Sequence, residues 1–152
     1  MSTRRQDPFG HSGRRQYDFA SMADPAPLPP QLVDTAHSAR GLHLLMLFGS
    51  RARRDSHPGS DWDFAYIATA AFDPAAFLGN VATIVGTDRV DLVDLDRAGA
   101  LIRYRVARDG QVVFEAQPGI ADRFQFEAVR FWCDAESVLQ RGYDQVLAEL
   151  TR

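Results

Sequence analysis

The sequence predicts an α/β domain, a small mixed sheet with helices packed against it and a long C-terminal helical segment. Three observations carry this. Apolar runs of strand length at 42–48, 61–68 and 89–95 alternate with stretches of helical period. Gly, Pro or Asp punctuates the joins between them. Beyond residue 120, the residues Phe124, Ala128, Phe131, Ala135, Val138, Val146 and Leu150 recur at mostly helical intervals.

Residues 1–30 contain Arg4-Arg5, Arg14-Arg15, scattered Gly and Ser, and then Pro25, Pro27, Pro29 and Pro30. Apolar residues are few and without period, so this composition is expected to stay a disordered tail, with 31–152 forming the folded domain. Leu32, Val33, Ala36 and Ala39 follow Pro30 at helical spacing, and proline suits the first turn of a helix. Gly41 can end that helix. Residues 42–48 read as a buried strand, 50–54 as a short helix and 55–60 (DSHPGS) as a loop of turn formers. A second strand is expected over 61–68. Asp73-Pro74 then opens a helix with Ala75, Ala76, Phe77, Leu78, Val81 and Ile84 on its apolar side, ended by Gly86. Residues 89–95 (RVDLVDL) form a third strand, 97–108 a helix, and 111–115 (QVVFE) a short strand at a sheet edge. Residues 120–150 read as one long helix or two, with Gly142 as the place for a bend. Phe131 and Trp132 are adjacent, so a narrow helical stripe cannot bury both.

The chemistry concentrates between residues 44 and 67. The apolar run ending at Phe48 meets Gly49-Ser50, ten residues intervene, and Asp61-Trp62-Asp63 opens the next apolar run, a G-S-x10-D-x-D pattern. Alternating strand side chains put Asp61 and Asp63 on one face and Trp62 on the other. Two carboxylates so close repel unless a cation lies between them, and hard oxygen ligands suit Mg²⁺, which is usually held by carboxylates together with substrate phosphates. Gly49-Ser50, between a strand and a helical turn, offers backbone N–H groups and a hydroxyl to a phosphate. A carboxylate in an apolar strand costs free energy unless it is paired or metal-bound, so Asp91 is the candidate third carboxylate and Asp94, at the strand end, the less favoured one. Together these describe a phosphoryl- or nucleotidyl-transfer site.

Composition narrows the field. The net charge of −3 and the lack of a long basic stripe argue against direct nucleic-acid binding. The chain has arginine but no lysine, which removes Schiff-base chemistry and leaves Arg or a metal to assist a triphosphate. The one cysteine, Cys133, precludes an internal disulfide and, beside Phe131 and Trp132, is expected to be buried or groove-lining. No apolar run of roughly 18 residues is present, and residues 1–30 lack the apolar core of a secretory signal, so a cytoplasmic protein is expected.

GSRARRDSHPGSDWDF followed by RVDLVDL resembles the minimal nucleotidyltransferase (MNT) group of the DNA-polymerase-β-like nucleotidyltransferase superfamily. From residue 31 onward, with the QVVFE strand and the RFWCD helix, the chain is similar to MNT antitoxins of the HEPN/MNT toxin–antitoxin type. The resemblance implies nucleoside-triphosphate contacts from Gly49 and Ser50, with Arg53 supporting the phosphate loop. It implies that Asp61, Asp63 and Asp91 are both catalytic and metal-binding, holding two Mg²⁺ ions, with Asp91 assisting deprotonation of the acceptor. It further implies an ATP-dependent adenylyltransferase that silences a HEPN RNase toxin by moving AMP onto a tyrosine, in a hetero-oligomer with that toxin. Arg54 departs from the family, which usually has glycine there; either a strained backbone or a different turn is expected. Two other functions remain open. One is nucleotide transfer to a small molecule of the aminoglycoside type, although this chain is short for the added helical domain such relatives usually carry. The other is a non-catalytic antitoxin that acts by contact.

Overall fold

The computed structural model describes residues 27–150. Within them the order is α1 (Pro30–Ser38), β1 (Leu42–Phe48), α2 (Gly49–Arg53), β2 (Trp62–Ala68), α3 (Pro74–Val85), β3 (Val90–Asp94), α4 (Ala100–Asp109), β4 (Gln111–Glu115) and α5 (Ile120–Leu150). The strands form one sheet in the order β3-β2-β1-β4. β1 runs antiparallel to both β2 and β4, and β2 runs parallel to β3. Only the parallel pair needs a long crossover, and α3 supplies it.

Local chemistry sets the ends of these elements. Pro30 occupies the first turn of α1, where a missing N–H costs nothing. The Asp73 carboxylate caps α3 by accepting from the Ala76 N–H at 3.0 Å, and Gly86 closes it in the left-handed conformation at φ 71°. Of the expected tail, residues 1–26 lie outside the described residues; Leu28 packs against the core and Pro30 already belongs to α1.

β1 is the central spine because both of its faces are covered. Leu45 and Leu47 join Phe64, Val90 and Val113 in a cluster closed by Leu32 and Ala36 of α1 and by Phe77 and Val81 of α3. Leu44 and Met46, alternating to the other side, join Ala65 and Leu95 under Val106 of α4 and Ala121, Phe124 and Ala128 of α5. Helices therefore sandwich the sheet, and polar chemistry is left to its ends and loops. Truncating a ring as deeply buried as Phe124 would cost about 3–5 kcal/mol.

Several expectations change in detail. Ala75 and Ala76 are exposed, because α3 turns Phe77 and Val81 inward instead. α4 begins at Ala100, after turns over residues 95–97. The C-terminal segment is one helix, not two. Cys133 is exposed, not buried: Ala128 and Phe124 define the inward stripe, and Cys133 falls on the opposite side with Phe126 and Val129. Phe131 and Trp132 divide as the helix requires. Trp132 is half-buried and stacks on Tyr104 of α4 at 5.3 Å between centroids, whereas Phe131 remains 49% exposed. No helix among the described residues is long and apolar enough to cross a membrane.

Candidate active site

The site is built at the end of the sheet where β1 finishes and β2 and β3 begin. Phe48, the last residue of β1, is paired with Asp63 of β2, and Asp63 is in turn paired with Asp91 of β3. Alternation sends Phe64, Val90 and Leu92 toward α1 and α3, and therefore sends Asp63 and Asp91 to the α4 and α5 side. Asp61 stands just before β2, two residues from Asp63 and so on the same side.

The three carboxylates interact. The Asp63 carboxyl is pushed above the usual carboxylate range, first by burial and then by the negative charges of Asp91 and Asp61, against the opposing pull of Arg53 and Arg51. Asp61 and Asp91 are exposed, while Asp63 is half-buried between them.

β1 ends at Phe48, and Gly49, the first residue of α2, turns the chain at φ 71°, a conformation that a side chain resists. Glycine is needed here for a second reason: a Cβ at Gly49 would run into the Asp63 carboxylate. Gly49 and Asp63 therefore fit each other directly. Gly49, Ser50, Arg53, Asp55, His57, Gly59, Ser60, Asp61 and Asp63 line an open cleft of about 500 Å³. Of the sequence-predicted residues, Gly49, Ser50, Arg53, Asp61 and Asp63 thus share one cleft. Asp91 is not among its lining residues; it borders Asp63 from the neighbouring strand. Arg53 carries an exposed ion pair with Asp55, Nε to Oδ2 at 3.2 Å, which holds it only weakly. Asp94 accepts from the Asp96 N–H at 2.9 Å and lies 3.6 Å from the Arg97 Nε, so it is engaged locally, away from the cleft.

The loop between α2 and β2 is held by its own polar groups. The His57 N–H donates to the Ser60 Oγ at 2.9 Å, the Ser60 N–H donates to the His57 carbonyl at 2.9 Å, and the Gly59 N–H donates to the His57 Nδ1 at 3.1 Å. His57 therefore shapes the cleft wall, a role the sequence did not assign. Arg51, Arg89 and Trp62 were likewise missed as structural parts of the site. Their contacts join residues nine to thirty positions apart, and no local spacing reveals such contacts.

The donor set suits a hard cation. It consists of carboxylate oxygens and the hydroxyls of Ser50 and Ser60, with no thiol and no paired imidazoles. Among the described residues no three His, Cys, Asp or Glu side chains form a ready-made cation cage. A cation of the Mg²⁺ type usually takes one or two carboxylates from the protein and completes its shell with substrate phosphates and water.

Residues 31–119 match the Polymerase beta, Nucleotidyltransferase family. The chain belongs to this nucleotidyltransferase family. The matched span holds every residue of the cleft and both strands that carry Asp63 and Asp91. The chain is also similar to the protein adenylyltransferase MntA of Aphanizomenon flos-aquae (strain 2012/KM1/D3), with 39% identity over 97 residues. That alignment covers 55% of this chain and 64% of MntA, so the chain spans somewhat less than two thirds of that relative. Solved structures share the nucleotidyltransferase fold. A toxin–antitoxin structure with AMP-PNP has a TM-score of 0.65 at 23% identity, covering 77% of this chain and 96% of its own. A toxin–antitoxin MntA–HpeT mutant reaches 0.67 at 22% identity, over 80% and 99% of the two chains. The complex of a tri-AMPylated Shewanella oneidensis HEPN toxin with MNT antitoxin gives 0.59 at 22% identity, over 77% and 93%. At these identities the likeness is one of fold.

Proposed function

We propose that this nucleotidyltransferase is a Mg²⁺-dependent protein adenylyltransferase that works in the cytoplasm as an antitoxin, transferring AMP from ATP to a tyrosine of a HEPN RNase partner. The observation that carries the reading is Asp63 flanked by Asp61 and Asp91 and fitted against Gly49, in a chain 39% identical over 97 residues to a protein adenylyltransferase. Two structures of the same fold support it, one with the ATP analogue AMP-PNP and one with an AMPylated HEPN toxin.

In this reading Ser50 and the α2 backbone receive the triphosphate, and Arg53, freed from its exposed pair with Asp55, adds positive charge to the phosphates. Asp61 and Asp63 would hold Mg²⁺, with Asp91 joining them at a second ion. Bound there, Mg²⁺ supplies charge neutralisation at the α-phosphate and favours the deprotonated acceptor hydroxyl. Asp91, exposed and not among the residues that line the cleft, would in this reading assist deprotonation of the acceptor. The tyrosine oxygen forms its bond to the α-phosphorus as the bond to the bridging oxygen breaks, and pyrophosphate leaves.

The test combines this chain, labelled ATP, Mg²⁺ and the partner protein encoded beside it. Mass spectrometry should find AMP on a partner tyrosine, and the Asp61→Ala/Asp63→Ala double variant should transfer none. Neutralisation of the partner that survives the double variant unchanged would replace the enzyme with an antitoxin acting by contact. Transfer to a small hydroxylated molecule instead of the partner would move the reading to small-molecule chemistry.

A further inference from the structure

Three consecutive carbonyl oxygens lead into Asp61, and two guanidinium groups grip all three. Arg89, one residue before β3, donates from Nη1 to the Gly59 carbonyl at 2.7 Å. Arg51 of α2 donates from Nη2 to the Ser60 carbonyl at 2.7 Å and from Nε to the Asp61 carbonyl at 3.2 Å. The Arg51 guanidinium also lies over the Trp62 indole, 4.2 Å from its centroid. The Trp62 N–H in turn donates to the Arg89 carbonyl at 2.9 Å. Gly59 and Ser60 form the wall between the nucleotide cleft and a second hollow of about 530 Å³ on the far side, which Arg51, Trp62 and Arg89 line.

We propose that Arg51, assisted by Arg89, is a positioning residue that fixes the carboxylate of Asp61 beside Asp63 by clamping the backbone before it. The inference rests on the metal-dependent reading of the site given above. Its physical basis is connectivity. Arg51 belongs to the short helix that follows Gly49-Ser50, so the clamp ties the phosphate side of the cleft rigidly to the carboxylate side. Arginine is required because two carbonyls are taken by one planar fork whose flat face also stacks on an indole; a lysine ammonium can do one of these things at a time. Groups that orient ligands in this way typically govern affinity by about 10–100-fold.

Charge and geometry predict opposite signs here, which makes the clamp testable. The Arg51 guanidinium is bonded to the carbonyls of Ser60 and Asp61, so its positive charge sits close to the carboxylates that would hold a cation and repels that cation. Removing that charge should by electrostatics alone tighten cation binding. Loss of the clamp should weaken it. The measurements are Mn²⁺ binding in the presence of AMP-PNP, read by electron paramagnetic resonance, and amide exchange at Gly59, Ser60 and Trp62, for wild type, Arg51→Gln, Arg51→Lys and Trp62→Leu. The clamp predicts Mn²⁺ affinity lowered by about tenfold in Arg51→Gln and in the charge-conserving Arg51→Lys. Trp62→Leu should give a smaller loss, and faster exchange should be confined to the loop while β1 amides stay as in wild type. Mn²⁺ affinity that is unchanged or tighter in Arg51→Gln overturns the positioning role, even where the loop exchanges faster. Should the wild type bind no Mn²⁺, the metal-dependent reading fails, and the loop amides alone decide the clamp: faster exchange in both Arg51 variants upholds it, unchanged exchange removes it.

Discussion

Asp63 and Asp91 lie side by side across the parallel pair of β2 and β3, two carboxylates in register on one face of the sheet. The fold holds them there through β1, which pairs with β2 and is buried on both faces, and through α3, whose crossover brings β3 back beside β2. Stability and activity pull against each other at this point. Partial burial and two like charges make an ionised Asp63 unfavourable for the folded chain, and its carboxyl is raised accordingly.

Asp63→Asn should therefore abolish AMP transfer while raising the melting temperature by a few degrees near neutral pH. A raised carboxyl means that the folded chain holds the proton more tightly than the unfolded chain does. Its favourable contribution is present in acid and is lost as pH rises through the raised value. The gap between variant and wild type should accordingly open with rising pH and close on acidification below the usual carboxylate range. Mg²⁺ with AMP-PNP should reverse the order, because a ligand that binds the folded wild type stabilises it by mass action and the variant cannot benefit. Thermal melts across pH, with and without ligand, check both halves.

Gly49→Ala tests the fit between the phosphate loop and the acid. The added Cβ meets the Asp63 carboxylate and must also adopt φ 71°. The backbone alone should cost roughly 1 kcal/mol or more. Displacement of Asp63 should remove transfer by at least about a hundredfold, since a small misplacement at a reacting centre costs that much. A urea titration alongside the rate assay separates the two effects. Ser50→Ala, which leaves this geometry intact, should weaken nucleotide binding with little loss of stability.

How much of this was legible in the sequence follows from what each feature depends on. β1, β2 and α3 were readable because their signals are local: apolar runs of strand length, and Asp73-Pro74 against Gly86 at the two ends of a helix. Asp61 and Asp63 could be placed on one face by alternation alone, and the cost of a carboxylate within RVDLVDL pointed to Asp91. The register that sets Asp91 against Asp63 depends on the crossover, which no spacing specifies. The Arg51 and Arg89 contacts with the 59–61 carbonyls were hidden for the same reason, as side-chain bonds to a loop backbone leave no periodic trace. Cys133 was misplaced because its aromatic neighbours suggested burial. On a helix, however, adjacent residues point about 100° apart, and neighbours in sequence do not share a side.

Asp73 offers a control outside the cleft. Its carboxylate caps α3, the helix that delivers β3 to its place beside β2. Asp73→Ala should cost about 1 kcal/mol of stability. At temperatures where the variant is folded, AMP transfer should stay within about twofold of wild type, because a frayed first turn does not move the Asp63–Asp91 register. A large loss of rate with the fold intact would show that the crossover, and not the strand pairing itself, sets the spacing of the two acids. Circular dichroism melts and initial rates on the same samples make the comparison.

Arg54 stands where the sequence resemblance implies glycine, and the backbone shows what an arginine there costs. It closes α2 at φ 61°, ψ 25°, and among the described residues no other non-glycine residue has a positive φ. The short helix therefore keeps the left-handed ending for which glycine would be suited, and the arginine adopts it: the Arg54 N–H still reaches the Arg51 carbonyl at 3.4 Å, and the Asp55 N–H the Ser50 carbonyl at 3.1 Å. Arg54→Gly should relieve the strain and stabilise the protein by roughly 1 kcal/mol, somewhat offset by the freer unfolded chain. Arg54→Asn should fall between the two, since asparagine tolerates this conformation better than arginine. Transfer rates of both variants should remain close to wild type, because the turn has the same shape in all three. A urea midpoint that falls in Arg54→Gly would mean that the exposed guanidinium stabilises the α2 ending by more than its backbone conformation costs.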